Sequence, residues 1–195
     1  MKQLSLKEFF EVEHKAGQTQ DSQDYKNLHY YLGKQIIERF QVNTLTEIGP
    51  GPGALIEYFI RGTNVDAIGI DINPYSREYF LSRNPGYDPH YILADISEYD
   101  FPGGDMLVSI ETFEHIENHV LFDALSILAQ RYKWFWFSST PKKTTPEQDI
   151  AWGHINVKYD YEWVMMMERY GWQFHSWAKT PTEWAMIFES RICQI

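Results

Sequence analysis

LTEIGPGPGALIEYF, residues 45–59, is the stretch that decides the fold: a short apolar run, glycines at 49, 51 and 53, then a helical pattern of apolar positions. With glycine near 7% of residues, three at alternate positions arise by chance at a rate of roughly 0.05 in a chain this long. The setting of strand, turn and helix is what gives them meaning. Glycine allows backbone conformations and close ligand approach that a side chain would block. Pro50 and Pro52 stiffen the turn and remove two amide donors. A diphosphate cradle is built from backbone N–H groups and a helix N-terminus. This loop therefore suits an uncharged part of a ligand lying close better than it suits phosphate. Glu47, two residues before Gly49, would repel phosphate and can pair with a cationic amine. A tight connection with no ligand is the plainer alternative.

Working outward, short apolar runs at 44–48, 65–70, 90–94, 105–110 and 134–138 read as strands, with helix candidates at 53–61, 74–83, 117–131 and 158–170 between or after them. Such alternation predicts a parallel sheet covered on both faces. The last apolar segments, WQFHSWA (172–178) and EWAMIFES (183–190), are joined by too short a connection for a parallel crossover and predict an antiparallel pair. Upstream, Leu28, Tyr31, Leu32, Ile36 and Phe40 recur at helical spacing, and AGQTQDSQDY (16–25) is polar enough for a loop placed to act as a lid. The expected organisation is one α/β domain over 1–195, with a helical extension at 1–43 and the core at 44–195.

Two further acids follow strands. Asp71 ends the second, where a carboxylate can accept both hydroxyls of a ribose, or can cap the helix near Pro74. Asp95 follows the third, where it can take an adenine amine while Ile96 packs on the ring, or can serve as a cap. Ligands of open parallel sheets bind beyond the carboxyl ends of the strands, so Glu47, Asp71 and Asp95 are expected to face one cleft.

These residues carry a resemblance. TEIGPGPG, Asp71 and Asp95 resemble the first motif and the two post-strand acids of the class I S-adenosylmethionine-dependent methyltransferases. DMLVSIETFEHIEN (105–118) resembles the segment after the fourth strand in the ubiquinone-biosynthesis and related small-molecule branches. The resemblance implies a Rossmann-like seven-stranded sheet of order 3-2-1-4-5-7-6 with its last strand antiparallel. It implies S-adenosyl-L-methionine held by Glu47, Gly49, Pro50, Gly51, Gly53, Asp71, Ile72, Asp95, Ile96 and Glu111. The cofactor has a sulfonium, an ammonium and no phosphate, which agrees with acids around a donor-poor loop.

Glu111, Glu114, His115, His119 and His154 are the residues expected near the reacting group. If a helical turn begins after the fourth strand, Glu111, Glu114 and His115 share a face. With His154 they could hold a divalent metal. This pattern resembles the magnesium or manganese site of the small-RNA 3′-terminal 2′-O-methyltransferases. The metal-free alternative gives Glu111 to the cofactor and His115 or His154 to acid–base work. The segment 138–163 is expected to be a substrate-facing loop carrying Lys142, Lys143, Trp152, His154 and Asn156. The lysine pair there could attract an anionic acceptor or could be plain solvated surface. Tyr25, His29 and Tyr30 are expected to close over the site from the N-terminal element.

Composition narrows the field. Lys plus Arg number 17 against 27 Asp plus Glu, for a formal charge of −10, which disfavours a nucleic-acid partner held by phosphate neutralisation. One cysteine, Cys193, excludes an internal disulfide and a paired-cysteine zinc cluster, and suggests a reducing, cytoplasmic setting. No targeting peptide or membrane span is expected. The 7 Trp, 13 Tyr and 12 Phe are expected mostly in the core. The leading functional expectation is methyl transfer to a small molecule. The alternatives are a metal-assisted 2′-O-methyltransferase of an RNA end and a cofactor-binding protein without turnover.

Overall fold

The computed structural model describes residues 4–142 and 145–193, so Lys143 lies outside the described residues. In chain order the elements are α1 (Leu6–Lys15), α2 (Gln23–Arg39), β1 (Thr44–Ile48), α3 (Ala54–Gly62), β2 (Asp66–Asp71), α4 (Pro74–Arg83), β3 (Tyr91–Leu93), β4 (Gly104–Ile110), α5 (Asn118–Arg131), β5 (Tyr132–Ser138), α6 (Pro146–Trp152), α7 (Asp160–Arg169), β6 (Trp172–Trp177) and β7 (Met186–Ser190). The strands form one seven-stranded sheet, ordered β3-β2-β1-β4-β5-β7-β6. β7 runs antiparallel to both β5 and β6, and the other pairings are parallel. The order reverses between β1 and β4, which opens a crevice beyond their carboxyl ends.

The sequence of β5 shows why the sheet is covered on both faces. In YKWFWFS alternate side chains belong to different cores: Phe135 and Phe137 pack with α5 and α7, and Trp136 packs with α2 and α3. A strand buried on both sides has no polar face to expose. Trp136 also donates from Nε1 to the Thr180 carbonyl at 2.7 Å, so its polar atom is not stranded. Each such ring contributes roughly 2–3 kcal/mol by burial. The expectation that most rings fill the core holds for Trp136, Trp163, Trp172, Tyr91, Tyr132 and many phenylalanines.

Local signals set the helix starts. Ser5 and Glu8 form a reciprocal capping box on α1, Ser22 caps α2, and the Asn73 side chain accepts from the Tyr75 amide ahead of Pro74. Four expectations need correction. α2 begins at Gln23, so Tyr25 is helical and only the turn before it is loop. The inward face of α2 is His29, Leu32, Gly33 and Ile36, with Tyr31 exposed, because α3 approaches at Gly33 and leaves no room for the wider stripe. The supposed loop 138–163 contains α6, nucleated by a Thr145–Gln148 capping box with Pro146 at its first turn. After β4 no helix follows directly: Glu111 takes φ 49° and only Phe113–His115 forms a 3-10 turn, so Glu111 does not share a helical face with Glu114 and His115. Among the described residues no helix is long and apolar enough to cross a membrane.

Candidate cofactor and active site

The glycine loop is satisfied from within. Gly49 donates to the Ile70 carbonyl at 2.9 Å and Gly53 to the Pro50 carbonyl at 2.8 Å. Gly51 donates to Oδ2 of Asp71 at 3.1 Å. All three glycine amides are thus committed, and the two prolines have none to offer. Positive φ at Gly49, Gly51 and Gly53 lets the chain turn this tightly. At Gly53 a Cβ would also stand 2.4 Å from the Phe80 ring. Gly53 therefore shapes the turn from behind, at the start of α3, and does not line the cleft.

Beyond the strand ends lies a cleft of about 1130 Å³. Glu47, Gly49, Pro50, Gly51, Asp71, Ile72, Asp95, Ile96 and Glu111 all line it. Glu47 is only 2% exposed, and its Oε2 has no hydrogen-bond partner. Burial, and after it the charge of Asp71, pushes the Glu47 carboxyl up to about 8. Asp71 is held by the Asn73 amide at 2.8 Å, the Gly51 amide and the Tyr91 hydroxyl at 3.2 Å. Burial raises it to about 6 despite these donors. Asp95 lines the cleft while Oδ1 accepts from the amide and hydroxyl of Ser97 in a turn, with no helix there for it to cap. Glu111 accepts from Ser138 Oγ and Thr140 Oγ1, each at 2.6 Å, and from Trp184 Nε1 at 3.0 Å. Its carboxyl is pushed up by burial and by neighbouring Glu114.

The other half of the cleft holds two histidines. His115 Nδ1 meets the Gly153 carbonyl at 3.3 Å and His154 Nδ1 meets Asp149 Oδ1 at 3.1 Å. With Nδ1 as the donor in each, both Nε2 atoms are left as acceptors. The rings lie 5.0 Å apart. Burial, followed by the charge of His154, lowers the His115 pKa to about 4. Glu114 is fully buried and accepts from Ser139 Oγ at 2.9 Å and the Thr140 amide at 3.0 Å. Glu114, His115 and His154 offer ligand atoms within 4.8 Å of one another, a grouping a divalent metal could use; Glu111 is not part of it. His119 sits at the rim, its side chain 74% exposed beside Glu117.

Of the residues expected to close over the site or face substrate, Tyr25, His29, Trp152 and His154 line the cleft, and Tyr30, Lys142 and Asn156 do not. Tyr30 turns toward α3 and donates to Glu57 at 3.2 Å. The Lys142 ammonium lies over the Tyr159 ring at 5.3 Å. Asn156 is buried, donating to the Phe113 and Ile116 carbonyls and accepting from the Lys158 ammonium, so it braces the turn after β4. Conversely, the sequence reading missed the roof. Leu6, Phe9 and Glu13 of α1 line the cleft, and Phe9 meets the His115 ring edge-on at 4.8 Å. Their spacing of three and four residues is a helical stripe, a signal present in the sequence but broken by the glutamate. Tyr91 and Trp184 carried no local pattern that separates a ring in a site from a ring in the core.

S-adenosylmethionine fits this cleft by its donor set. An unpartnered buried carboxylate suits the ammonium, Asp71 suits ribose hydroxyls, and the partly exposed Ile72 and Ile96 offer apolar surface to a base. A diphosphate would find no free glycine amide.

Comparison with known proteins agrees. Residues 46–126 match the family described as methyltransferase domain. No curated protein matches the chain by sequence. Among solved structures, a chain of the complex between the Haloferax volcanii Trm112 methyltransferase activator and a methyltransferase aligns with TM-score 0.71 at 12% identity, over 97% of this chain and 99% of that one. The mitomycin 7-O-methyltransferase MmcR aligns with TM-score 0.60 at 14% identity, over 93% of this chain and 59% of its own. The small RNA methyltransferase HEN1 aligns with TM-score 0.65 at 18% identity, over 87% of this chain and 26% of its own. The chain thus spans little more than half of MmcR and about a quarter of HEN1. The chain has the seven-stranded fold of the class I methyltransferases, and its residues 46–126 match the methyltransferase domain family.

Proposed function

We propose that the protein transfers a methyl group from S-adenosylmethionine to a small-molecule acceptor in the cytoplasm. The observation that carries this reading is the glycine loop with every amide committed, facing Glu47, whose buried Oε2 lacks a partner. The cofactor supplies an activated methyl group on its sulfonium. Glu47 orients the cationic end, Asp71 the ribose, and Asp95 with Ile72 and Ile96 the adenine. At the far end of the cleft, His115 or His154 accepts a proton at Nε2 when the acceptor is a hydroxyl. Trp152 and Trp184 give that end apolar walls, and α1 excludes water above it. The mixed acidic and apolar lining and the net charge of −10 favour a small molecule over a nucleic acid.

Calorimetric titration with S-adenosylmethionine and S-adenosylhomocysteine tests the cofactor assignment, and transfer of tritiated methyl to a small-molecule fraction tests the activity. Absence of saturable binding to the folded protein would sink the proposal. One observation favours a second reading: the grouping of Glu114, His115 and His154, with both Nδ1 atoms anchored and both Nε2 atoms left over, would suit magnesium or manganese in 2′-O-methylation of an RNA end. Manganese titration followed by electron paramagnetic resonance separates the two. Stoichiometric, tight uptake lost in His154→Ala favours the metal, and uptake no greater than by that variant favours the metal-free reaction.

A further inference from the structure

α1 would need only apolar side chains on its inner face if it were no more than a cover. It presents Leu6, Phe9 and Glu13 instead. Glu13 is 8% exposed, and its Oε2 has no hydrogen-bond partner. Its Oε1 lies 3.0 Å from where a Cβ on Gly51 would sit, so the carboxylate abuts the midpoint of the loop where only a glycine leaves room. Glu13, Tyr25, Glu47 and Asp71 line the same cleft, and the charge of Asp71 acts on both glutamates. Among the described residues none of the ion pairs joins Glu13, Glu47 or Asp71 to a lysine or arginine. A buried carboxyl oxygen without a partner is costly, and Glu13 and Glu47 each have one. Helix α1 is nevertheless tied down at several points. Asn73 Nδ2 donates to the Leu6 carbonyl at 3.1 Å, and Phe10 and His14 pack on Tyr75 and Tyr79 of α4. The roof is built to hold this glutamate in the cleft.

We infer that Glu13 is a cofactor-binding residue: together with Glu47 it takes the ammonium of the methionyl end, so that α1 closes as a charged roof drawn down by the ligand. The inference rests on the cofactor reading above and extends it to an element outside the family-matched segment. Burial and the Asp71 charge push the Glu13 carboxyl up to about 8 in the ligand-free protein, the state expected of a carboxylate waiting for a cation.

The test compares wild type with Glu13→Gln, which keeps shape and removes charge. Calorimetry uses S-adenosylmethionine and 5′-methylthioadenosine, which keeps adenine, ribose and sulfur but lacks the methionyl ammonium and carboxylate and the sulfonium charge. S-adenosylhomocysteine, which keeps the ammonium without that charge, is expected to follow S-adenosylmethionine. Glu13→Gln is expected to bind S-adenosylmethionine at least tenfold more weakly and 5′-methylthioadenosine within about twofold of wild type. Hydrogen exchange of α1 in wild type is expected to slow when S-adenosylmethionine is added. Above pH 8, where Glu13 is ionised, exchange without ligand is expected to be slower in Glu13→Gln than in wild type, because the variant carries no charge there. The exchange measurement on wild type stands even if the variant folds poorly. Equal loss for S-adenosylmethionine and 5′-methylthioadenosine, no loss for either, or α1 exchange indifferent to S-adenosylmethionine would overturn the inference while leaving the proposed function in place. No saturable wild-type binding would overturn both.

Discussion

Glu47 and Asp71 stand at the carboxyl ends of adjacent parallel strands, and the charge of Asp71 adds to burial in holding the Glu47 carboxyl near 8. A carboxyl whose folded pKa lies above its ordinary value of 4.5 takes up protons on folding. Its contribution to stability is complete below pH 4.5 and is lost as pH rises through about 8. The ligand-free protein therefore carries a pH-dependent penalty at this site.

Glu47→Gln removes that penalty and the partner for the ammonium together. Urea midpoints at pH 4.5 and pH 8 are expected to be similar for variant and wild type at the lower pH, with the variant more stable by about 1–3 kcal/mol at the higher. Affinity for S-adenosylmethionine is expected to fall tenfold or more. Stability and affinity moving in opposite directions is the signature of a group placed for a ligand. A variant less stable than wild type at both pH values would show Glu47 to be structural.

Tyr91 ties the loop to the acid. Its hydroxyl reaches the Gly51 carbonyl at 2.7 Å and Asp71 Oδ2 at 3.2 Å, and one proton serves both. Tyr91→Phe leaves a buried carbonyl short of a donor and is expected to cost about 1–2 kcal/mol in urea unfolding. Asp71 loses one of the donors that favour its charged form, so its pKa should rise above the present value of about 6. Affinity for the cofactor at pH 6 should fall more than at pH 8, a difference calorimetry at the two pH values can read.

The parts legible in the sequence were those governed by short-range pattern. The strand at 44–48, the core of the strand at 134–138 and the helix at 74–83 follow from alternation, apolar runs and capping residues, and the sheet order follows from the family resemblance. Illegible parts were set by tertiary packing. Whether Tyr30 or Tyr25 faces the cleft depends on the rotation of α2, which is fixed where Tyr58 of α3 presses on Gly33. Glu13 carried no signal of its own in the sequence, because a buried glutamate and a solvated one look alike until the opposing wall is known. Glu111 was assigned to a helical face that its positive φ forbids.

His154 sits across the cleft from the acids, oriented by Asp149. Replacing it with alanine is expected to leave S-adenosylmethionine affinity within about twofold in calorimetry. Turnover of a hydroxyl acceptor should drop by about 10²–10⁴ if Nε2 takes its proton. Loss of cofactor affinity on the same scale would show instead that His154 holds the cofactor end of the cleft.

Gly53 offers a test of the fold independent of any ligand. It combines φ 80° with a Cβ position 2.4 Å from the Phe80 ring, whereas Gly86 has φ 89° and open space around it. Alanine at Gly86 meets only the backbone penalty of the left-handed region, about 1 kcal/mol. At Gly53 alanine meets that penalty and a clash with a fully buried ring, so about 2–4 kcal/mol is expected. Phe80→Leu separates the two contributions. Alone it should destabilise by leaving a gap beneath the loop. In the Gly53→Ala background it should cost less, because the new methyl group occupies part of that gap. A favourable coupling of about 1 kcal/mol or more in the double-mutant cycle would locate the cost in packing. Strict additivity would locate it in the backbone, and would mean that the loop is held open by conformation alone.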